Sequence, residues 1–184
     1  MGAGPTRLCD EAARRTAMSD HDRSLLVEAG AGSGKTAIMA GRIAMMLAAG
    51  TKPNAIAAIT FTELAASELL ERIRQFVEAL LAGQVPPEFA AVLSDGLSAT
   101  QKVNLSSANA ELDEITCTTI HGFCQRLIKP YPVEAKIDPG VPSWIRRKPT
   151  VCSPSCSMPG CGSVLAVLMA RSSRKWSRPI HRGL

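Results

Sequence analysis

Residues 24–48 read SLLVEAGAGSGKTAIMAGRIAMMLA, and this stretch decides how the rest of the chain is interpreted. At its centre, residues 29–36 (AGAGSGKT) follow the pattern of a small residue, four variable positions and Gly-Lys-Thr, which is typical of phosphate-binding loops. Glycine reaches positive φ without a Cβ clash, so such a loop can bring backbone N–H groups close to an anion. The flanks agree, because residues 24–29 predict a short apolar strand and residues 37–48 predict a buried helix. The alternative is a glycine-rich turn that carries Lys-Thr by chance.

The loop pattern also predicts the role of individual residues. Lys35 would supply a positive charge to the β- and γ-phosphates of a nucleotide, and the Thr36 hydroxyl would be a ligand for Mg²⁺. The helix that follows would add the positive end of its dipole. Lys35 and Thr36 are therefore the candidate catalytic residues, with Thr36 also the candidate metal ligand. The candidate nucleotide-binding residues are Ala29, Gly30, Ala31, Gly32, Ser33, Gly34, Lys35 and Thr36.

Charge is distributed unevenly along the 184 residues, although the formal net charge is +5. Residues 1–140 hold 13 Lys/Arg and 16 Asp/Glu, whereas residues 141–184 hold eight Lys/Arg and no acidic residue. The basic balance therefore belongs to the C-terminal part and does not by itself predict that the loop-bearing part binds nucleic acid. No signal peptide or membrane span is predicted, since apolar runs are too short. We expect a cytoplasmic location, no membrane partner and reduced thiols rather than disulfides.

Strands and helices alternate after the loop, which predicts an α/β fold with a parallel sheet. In such sheets, ligands gather at the carboxyl ends of the strands, so we expect the loop and the residues after the second and third strands to share one site. Residues 88–109 give mixed signals and are interpreted as an insertion of short helical pieces. Strands are predicted at residues 24–29, 55–60 and 115–119, and helices at residues 6–18, 37–48, between Thr62 and Gly83, and at 120–128.

Three stretches together resemble the UvrD/Rep-type superfamily 1 DNA helicases, most of all their helicase–nuclease subunits of the AddA and RecB kind. VEAGAGSGKT at residues 27–36 is similar to the first motif of that family, and AITFTELAASELLERI at residues 58–73 to its Ia motif. TTIHGFCQRLI at residues 118–128 is similar to its Ic motif. The likeness covers residues 8–140, with the motifs in the family's order.

The resemblance implies a RecA-like P-loop NTPase domain in an ATP-driven motor that moves on single-stranded DNA, with ATP and Mg²⁺ as cofactors. It also implies that the full-length protein has a partner, a second helicase–nuclease subunit. Aromatic faces stack on bases of any sequence, and hydroxyls can hold phosphates. For Phe61 and Phe123 the alternative to lining DNA is core packing, and for His121 it is a buried, hydrogen-bonded imidazole. The DNA-lining residues implied by the resemblance are Phe61, Thr62, Thr119, His121 and Phe123.

This chain departs from the family pattern at three points. The position at which the family's N-terminal Gln reads adenine falls on Glu11, and Glu63-Leu64 stands where many relatives have Asn-Lys. No Asp-Glu pair follows an apolar strand, so a second Walker motif is missing, as are the family's later motifs. We therefore expect the N-terminal piece of a longer protein, inactive on its own. Alternatives are a small-molecule kinase with a P-loop, and a truncated gene product without function.

Composition changes abruptly after residue 140, where five Pro and eight Ser accompany the basic residues. Residues 1–140 are predicted to be part of an ATP-binding domain and residues 141–184 a disordered basic tail, because burying one short apolar run cannot offset the ordering entropy. A frameshifted tail is favoured over a nucleic-acid-binding arm and over a zinc site. The zinc alternative would use Cys152, Cys156, Cys161 and His181.

Overall fold

The structure, a computed structural model, describes residues 10–30, 32–94, 96–132 and the strand at 167–170. The helices predicted at residues 37–48, between Thr62 and Gly83 and at 120–128 begin and end within two residues of those positions, whereas the helix predicted at 6–18 begins at Glu11. The helices are α1 (Glu11–Ser19), α2 (Lys35–Ala48), α3 (Glu63–Leu81), α4 (Ala99–Asn109) and α5 (Ile120–Ile128). The strands are β1 (Ile56–Thr60), β2 (Thr116–Thr119) and β3 (Val167–Ala170).

The described strands form one mixed sheet in the order β2-β1-β3. β1 and β2 are parallel, with Thr60 opposite Thr119, which confirms the predicted parallel pairing. β3 is antiparallel to β1, with Ile56 opposite Ala170, so the sheet is not parallel throughout. Since β1 and β2 end at the same level, the residues that follow them lie at one edge of the sheet.

The predicted strand at residues 24–29 is wrong, because the structure has no regular secondary structure there. Both edges of β1 are paired, one with β2 and the other with β3, so this segment has no place beside β1. Its apolar side chains are also uncovered: the exposed fractions are 39% for Leu25, 85% for Leu26 and 45% for Val27. An apolar sequence pattern forms a strand only where backbone partners and a covering layer exist.

Residues 167–170 lie in the segment for which disorder is expected, and they form β3. The physical reason is that β1 offers them an edge of unpaired backbone groups, and pairing satisfies both segments. The other residues of this tail, including the four zinc candidates, lie outside the described residues.

The core is built around α2, which has ten buried residues among its fourteen. α3 packs on it with a stripe of fully buried side chains that recur at helical spacing: Leu69, Ile73, Val77 and Leu80. α1 and α4 cover other sides of α2. None of the helices in the described residues has the length and hydropathy needed to cross a membrane.

The segment interpreted as an insertion is part of this core. Ser98 and Gln101 form a reciprocal capping box that begins α4, and Leu105 is fully buried. Phe89 is 0% exposed and meets the ring of Phe76 edge-to-face, with ring centroids 5.0 Å apart. Residues 88–109 therefore stabilise the surroundings of α2.

We expect Phe89→Ala to lower the free energy of unfolding by about 3–5 kcal/mol, because it empties a fully enclosed aromatic site. Chemical denaturation followed by circular dichroism measures this loss. Val103→Ala on the exposed face of α4, where the side chain is 69% exposed, should change the free energy by less than about 0.5 kcal/mol. Equal effects from the two substitutions would contradict the packing described here.

Candidate functional site

Two glycines of the loop adopt the positive φ that the sequence pattern predicts. Gly32 and Gly34 have φ of 74° and 85°, in the region that side chains with a Cβ rarely adopt. Gly34 is the N-cap of α2, and among the described residues no side chain caps this helix. The first N–H groups of a helix have no partner within it, so the start of α2 keeps donors for an anion.

Lys35 spans this loop from the first position of α2. Its Nζ donates to the carbonyl oxygens of Ala29 and Gly30, at 2.7 Å in each case. The loop is also bonded within itself, since Ser33 Oγ donates to the Gly30 carbonyl at 2.8 Å. The ammonium is thus held across the loop by weak neutral acceptors that phosphate oxygens can replace.

Thr36 faces a cleft of about 420 Å³ between the start of α2 and the middle of α3. Two carboxylates, a guanidinium and an amide line the other side, so the cleft is polar. The lining residues on α3 are Glu68, Glu71, Arg72 and Gln75. Sequence analysis did not select them, although positions 68, 72 and 75 recur at helical spacing on the side of α3 away from its buried stripe.

Arg14 reaches the loop from α1 and is a second residue that sequence analysis did not select. Its Nη2 donates to the carbonyl oxygen of Ser33 at 3.0 Å, while its Nε donates to Asp10 Oδ2 at 2.8 Å. This hydrogen bond holds the pKa of the Asp10 carboxyl below its ordinary value. In the sequence, Arg14 belongs to a predicted helix shortly before the loop, but the family resemblance singles out Glu11 in the same helix.

A second polar region lies at the carboxyl ends of β1 and β2. Thr62 Oγ1 accepts from the Ala65 N–H at 3.1 Å and caps α3. Thr119 Oγ1 accepts from the Gly122 N–H at 3.2 Å and caps α5. Two helix N-termini therefore lie side by side at this edge of the sheet.

Glu63 and Thr119 join the two helix starts. Thr119 Oγ1 donates to Glu63 Oε1 at 3.0 Å, so the carboxylate of α3 lies against the first turn of α5. Gly122 permits the close approach of α5 to β2, since a Cβ there would come within 2.3 Å of Thr118 Oγ1. A negative charge thus occupies the place where the two helix dipoles would favour an anion.

The structure divides the predicted site residues between these two regions, apart from Ala31, which lies outside the described residues. Phe61 is 55% exposed, so core packing is wrong for this residue, and Phe123 is half-buried. His121 is exposed, which is inconsistent with a buried imidazole. The edge lies at the first turn of α3, whereas the cleft meets α3 five to twelve residues later, roughly 8–18 Å along the helix. Within the described residues, the loop and the edge are neighbouring regions joined by α3.

Two further expectations concern cysteines and metals. Cys117 and Cys124 are free thiols, as expected, with Cys117 half-buried in β2 and Cys124 exposed on α5. Burial raises the pKa of Cys117 to about 11. In residues 10–30, 32–94 and 96–132, no cluster of three or more His, Cys, Asp or Glu side chains could hold a metal ion.

This geometry is consistent with a class of proteins, the phosphate-loop nucleotide-binding domains. Residues 10–154 match the family model of the UvrD/REP helicase N-terminal domain. Because the match covers well over half of the chain, the chain belongs to this family.

Curated relatives that the chain resembles are each named as one subunit of an ATP-dependent helicase/nuclease. The relative from Ligilactobacillus salivarius is 30% identical over 127 residues, which are 69% of this chain and 9% of the relative. The relative from Limosilactobacillus reuteri is 32% identical over 127 residues, 69% of this chain and 8% of the relative. The relative from Levilactobacillus brevis is 35% identical over 116 residues, 63% of this chain and 8% of the relative. The chain therefore spans less than a tenth of the length of these proteins.

We expect iodoacetamide at pH 8 to modify Cys124 much faster than Cys117, because the thiolate is the reactive form and the raised pKa keeps Cys117 protonated. Mass spectrometry of the peptides measures both rates. The Cys117 rate should rise about tenfold per pH unit up to pH about 11, the pKa that burial gives this thiol. Equal rates for the two cysteines at pH 8 would contradict the burial of Cys117.

Proposed function

We propose that this chain is the N-terminal, ATP-binding part of an ATP-dependent DNA helicase of the helicase–nuclease kind. In the full-length protein, ATP hydrolysis would drive movement along single-stranded DNA. The observation that carries the proposal is the loop at the start of α2, with Lys35 held across it and no side chain capping the helix in the described residues. Family membership favours a helicase over a small-molecule kinase with the same loop.

The residues of the loop fit ATP with Mg²⁺. ATP supplies the free energy of phosphoanhydride hydrolysis when bound. Lys35 would exchange its two neutral carbonyl acceptors for phosphate oxygens, whose negative charge attracts the ammonium more strongly than a carbonyl dipole does. The N–H groups at the start of α2 would hold the phosphate, and the hydroxyl of Thr36, a residue that lines the cleft, would be a ligand for the metal.

Single-stranded DNA is the proposed nucleic-acid partner, at the edge formed by the ends of β1 and β2. Phe61 presents an exposed ring there, and exposed His121 and half-buried Phe123 follow on α5. An aromatic ring on a surface gains about 1–3 kcal/mol by stacking on a base, whatever the base is. The hydroxyls of Thr62 and Thr119 lie at the starts of two helices, where phosphate oxygens are favoured.

Glu63 opposes this binding electrostatically. Its carboxylate accepts from Thr119 Oγ1 at the centre of the edge, so an approaching phosphate meets a negative charge and an occupied hydroxyl. We propose that this edge binds DNA weakly in the isolated chain. Residues 1–140 are proposed as the start of the ATP-binding domain, and the protein partner is proposed to be a second subunit of the helicase–nuclease complex.

The ATP proposal predicts that Lys35→Ala weakens binding of ATP with Mg²⁺ by at least about tenfold, because the ammonium is the charged donor of the loop. Isothermal titration calorimetry on the 184-residue chain measures the dissociation constants. Lys52→Ala is the matched control, since it removes an exposed lysine near the other end of α2, about 20 Å away, and should leave binding unchanged. Unaltered binding by Lys35→Ala would exclude the proposed site.

The DNA proposal predicts opposite effects at neighbouring positions. Phe61→Ala should weaken binding of a fluorescent oligothymidine by about tenfold through lost stacking. Glu63→Gln should strengthen it by about two- to fivefold, because a negative charge is removed from the phosphate path. Fluorescence anisotropy at fixed salt measures both.

Leu64→Ala is the control for the aromatic effect, because Leu64 is 70% exposed at the same edge and has no ring. It should change the affinity by less than about threefold, a modest effect beside that of a lost stacked ring. If Phe61→Ala and Leu64→Ala have the same small effect, base stacking at this edge is refuted.

A further inference from the structure

Arg14 bonds α1 directly to the glycine-rich loop. The Nε of its guanidinium donates to Asp10 Oδ2 at 2.8 Å, and Asp10 is the N-cap residue of the same helix. Another donor, Nη2, is bonded to the carbonyl oxygen of Ser33 in the glycine-rich loop at 3.0 Å. A single planar side chain therefore links α1 to the loop 19 residues later.

α1 is itself firmly attached to α2, so it can serve as the fixed end of this link. Ala17 and Met18 are buried against α2, and Met18 packs where Gly41 has no side chain. Arg42 Nη1 of α2 donates to the carbonyl oxygen of Ala17 at 2.7 Å. The bond from Arg14 therefore holds the loop in a fixed position relative to α1 and α2.

The bond to Ser33 orients the next amide as well. The peptide unit between Ser33 and Gly34 is planar and trans, so its C=O and N–H point in opposite directions. When the Ser33 carbonyl is held towards Arg14, the Gly34 N–H is directed to the opposite side of the loop. Gly34 has φ of 85°, and glycine adopts positive and negative φ about equally readily, so the bond to the preceding carbonyl restrains a residue that is itself flexible.

We propose that Arg14 is a positioning residue for the phosphate-binding loop, acting on the phosphate end of a nucleotide and not on its base. The inference rests on the proposed function, since it concerns the same loop. Arginine suits this task because its rigid fork of donors can bond Asp10 and Ser33 at once, which a lysine ammonium on a flexible stem cannot do equally well.

Two ligands separate the phosphate end from the base. Arg14→Ala should raise the dissociation constants of ATP and of inorganic tripolyphosphate, each with Mg²⁺, by the same factor of about ten, the size that the loss of one charge-assisted hydrogen bond produces. Calorimetry on the 184-residue chain measures both constants. Arg14→Lys should restore part of the affinity for both ligands, because the charge and one donor are kept.

Arg15→Ala is the matched control, since Arg15 is the neighbouring arginine on the exposed face of the same helix. It should leave both constants within about twofold of the wild type. Circular dichroism melts of each variant without ligand report on folding, and Arg14→Lys supplies the comparison if Arg14→Ala does not fold.

The outcomes are distinguishable. A loss confined to ATP would overturn the inference by assigning Arg14 to the base. A lower melting temperature with unchanged dissociation constants would overturn it by making Arg14 merely structural. If the wild-type chain binds ATP and Lys35→Ala does not, while Arg14→Ala binds both ligands normally, the inference fails and the proposed function stands. If the wild-type chain binds neither ligand, both fail.

Discussion

The burial of α2 is the constraint on which the rest of the structure depends. Ten of its fourteen residues are buried, and α1, α3 and α4 pack around it. Such a helix cannot shift along its axis without disturbing close-packed neighbours on several sides. Its first residue is Lys35, so the packing of apolar side chains far from the loop fixes where the backbone of Lys35 and the first N–H groups of the helix lie.

Local signals in the sequence were sufficient for the helices that position the candidate site. The helices predicted between Thr62 and Gly83 and at residues 120–128 depend on residues within a few positions of each other, and both appear in the structure as α3 and α5. The glycine loop was equally predictable, because Gly32 and Gly34 adopt conformations that few other residues tolerate. The roles of Phe61 and Lys35 in binding stay predictions.

What the sequence could not predict depends on contacts between distant residues. The stretch at residues 24–29 has the composition of a strand, yet β2 and β3 take both edges of β1. The pairing of β3 joins segments more than a hundred residues apart, and no local pattern specifies such a register. Phe89 was assigned to an insertion for the same reason, because its partner Phe76 lies on another element. Arg14 was overlooked because a motif is defined along the chain, whereas its contact with Ser33 exists only after α1 has packed on α2.

α3 contributes residues to both candidate regions, the cleft and the edge of the sheet. Its first turn carries Glu63 and the cap Thr62 at the edge of the sheet, and its middle carries Arg72 beside Thr36 in the cleft. The stripe on its opposite side is fully buried, so the helix is held as one body over its 19 residues. A ligand in the cleft that displaces Arg72 would therefore also displace Glu63 and its contact with Thr119, because both residues lie on the same helix. Coupling between nucleotide and nucleic acid needs such a shared element, because two sites influence each other only through a part whose position both of them bias.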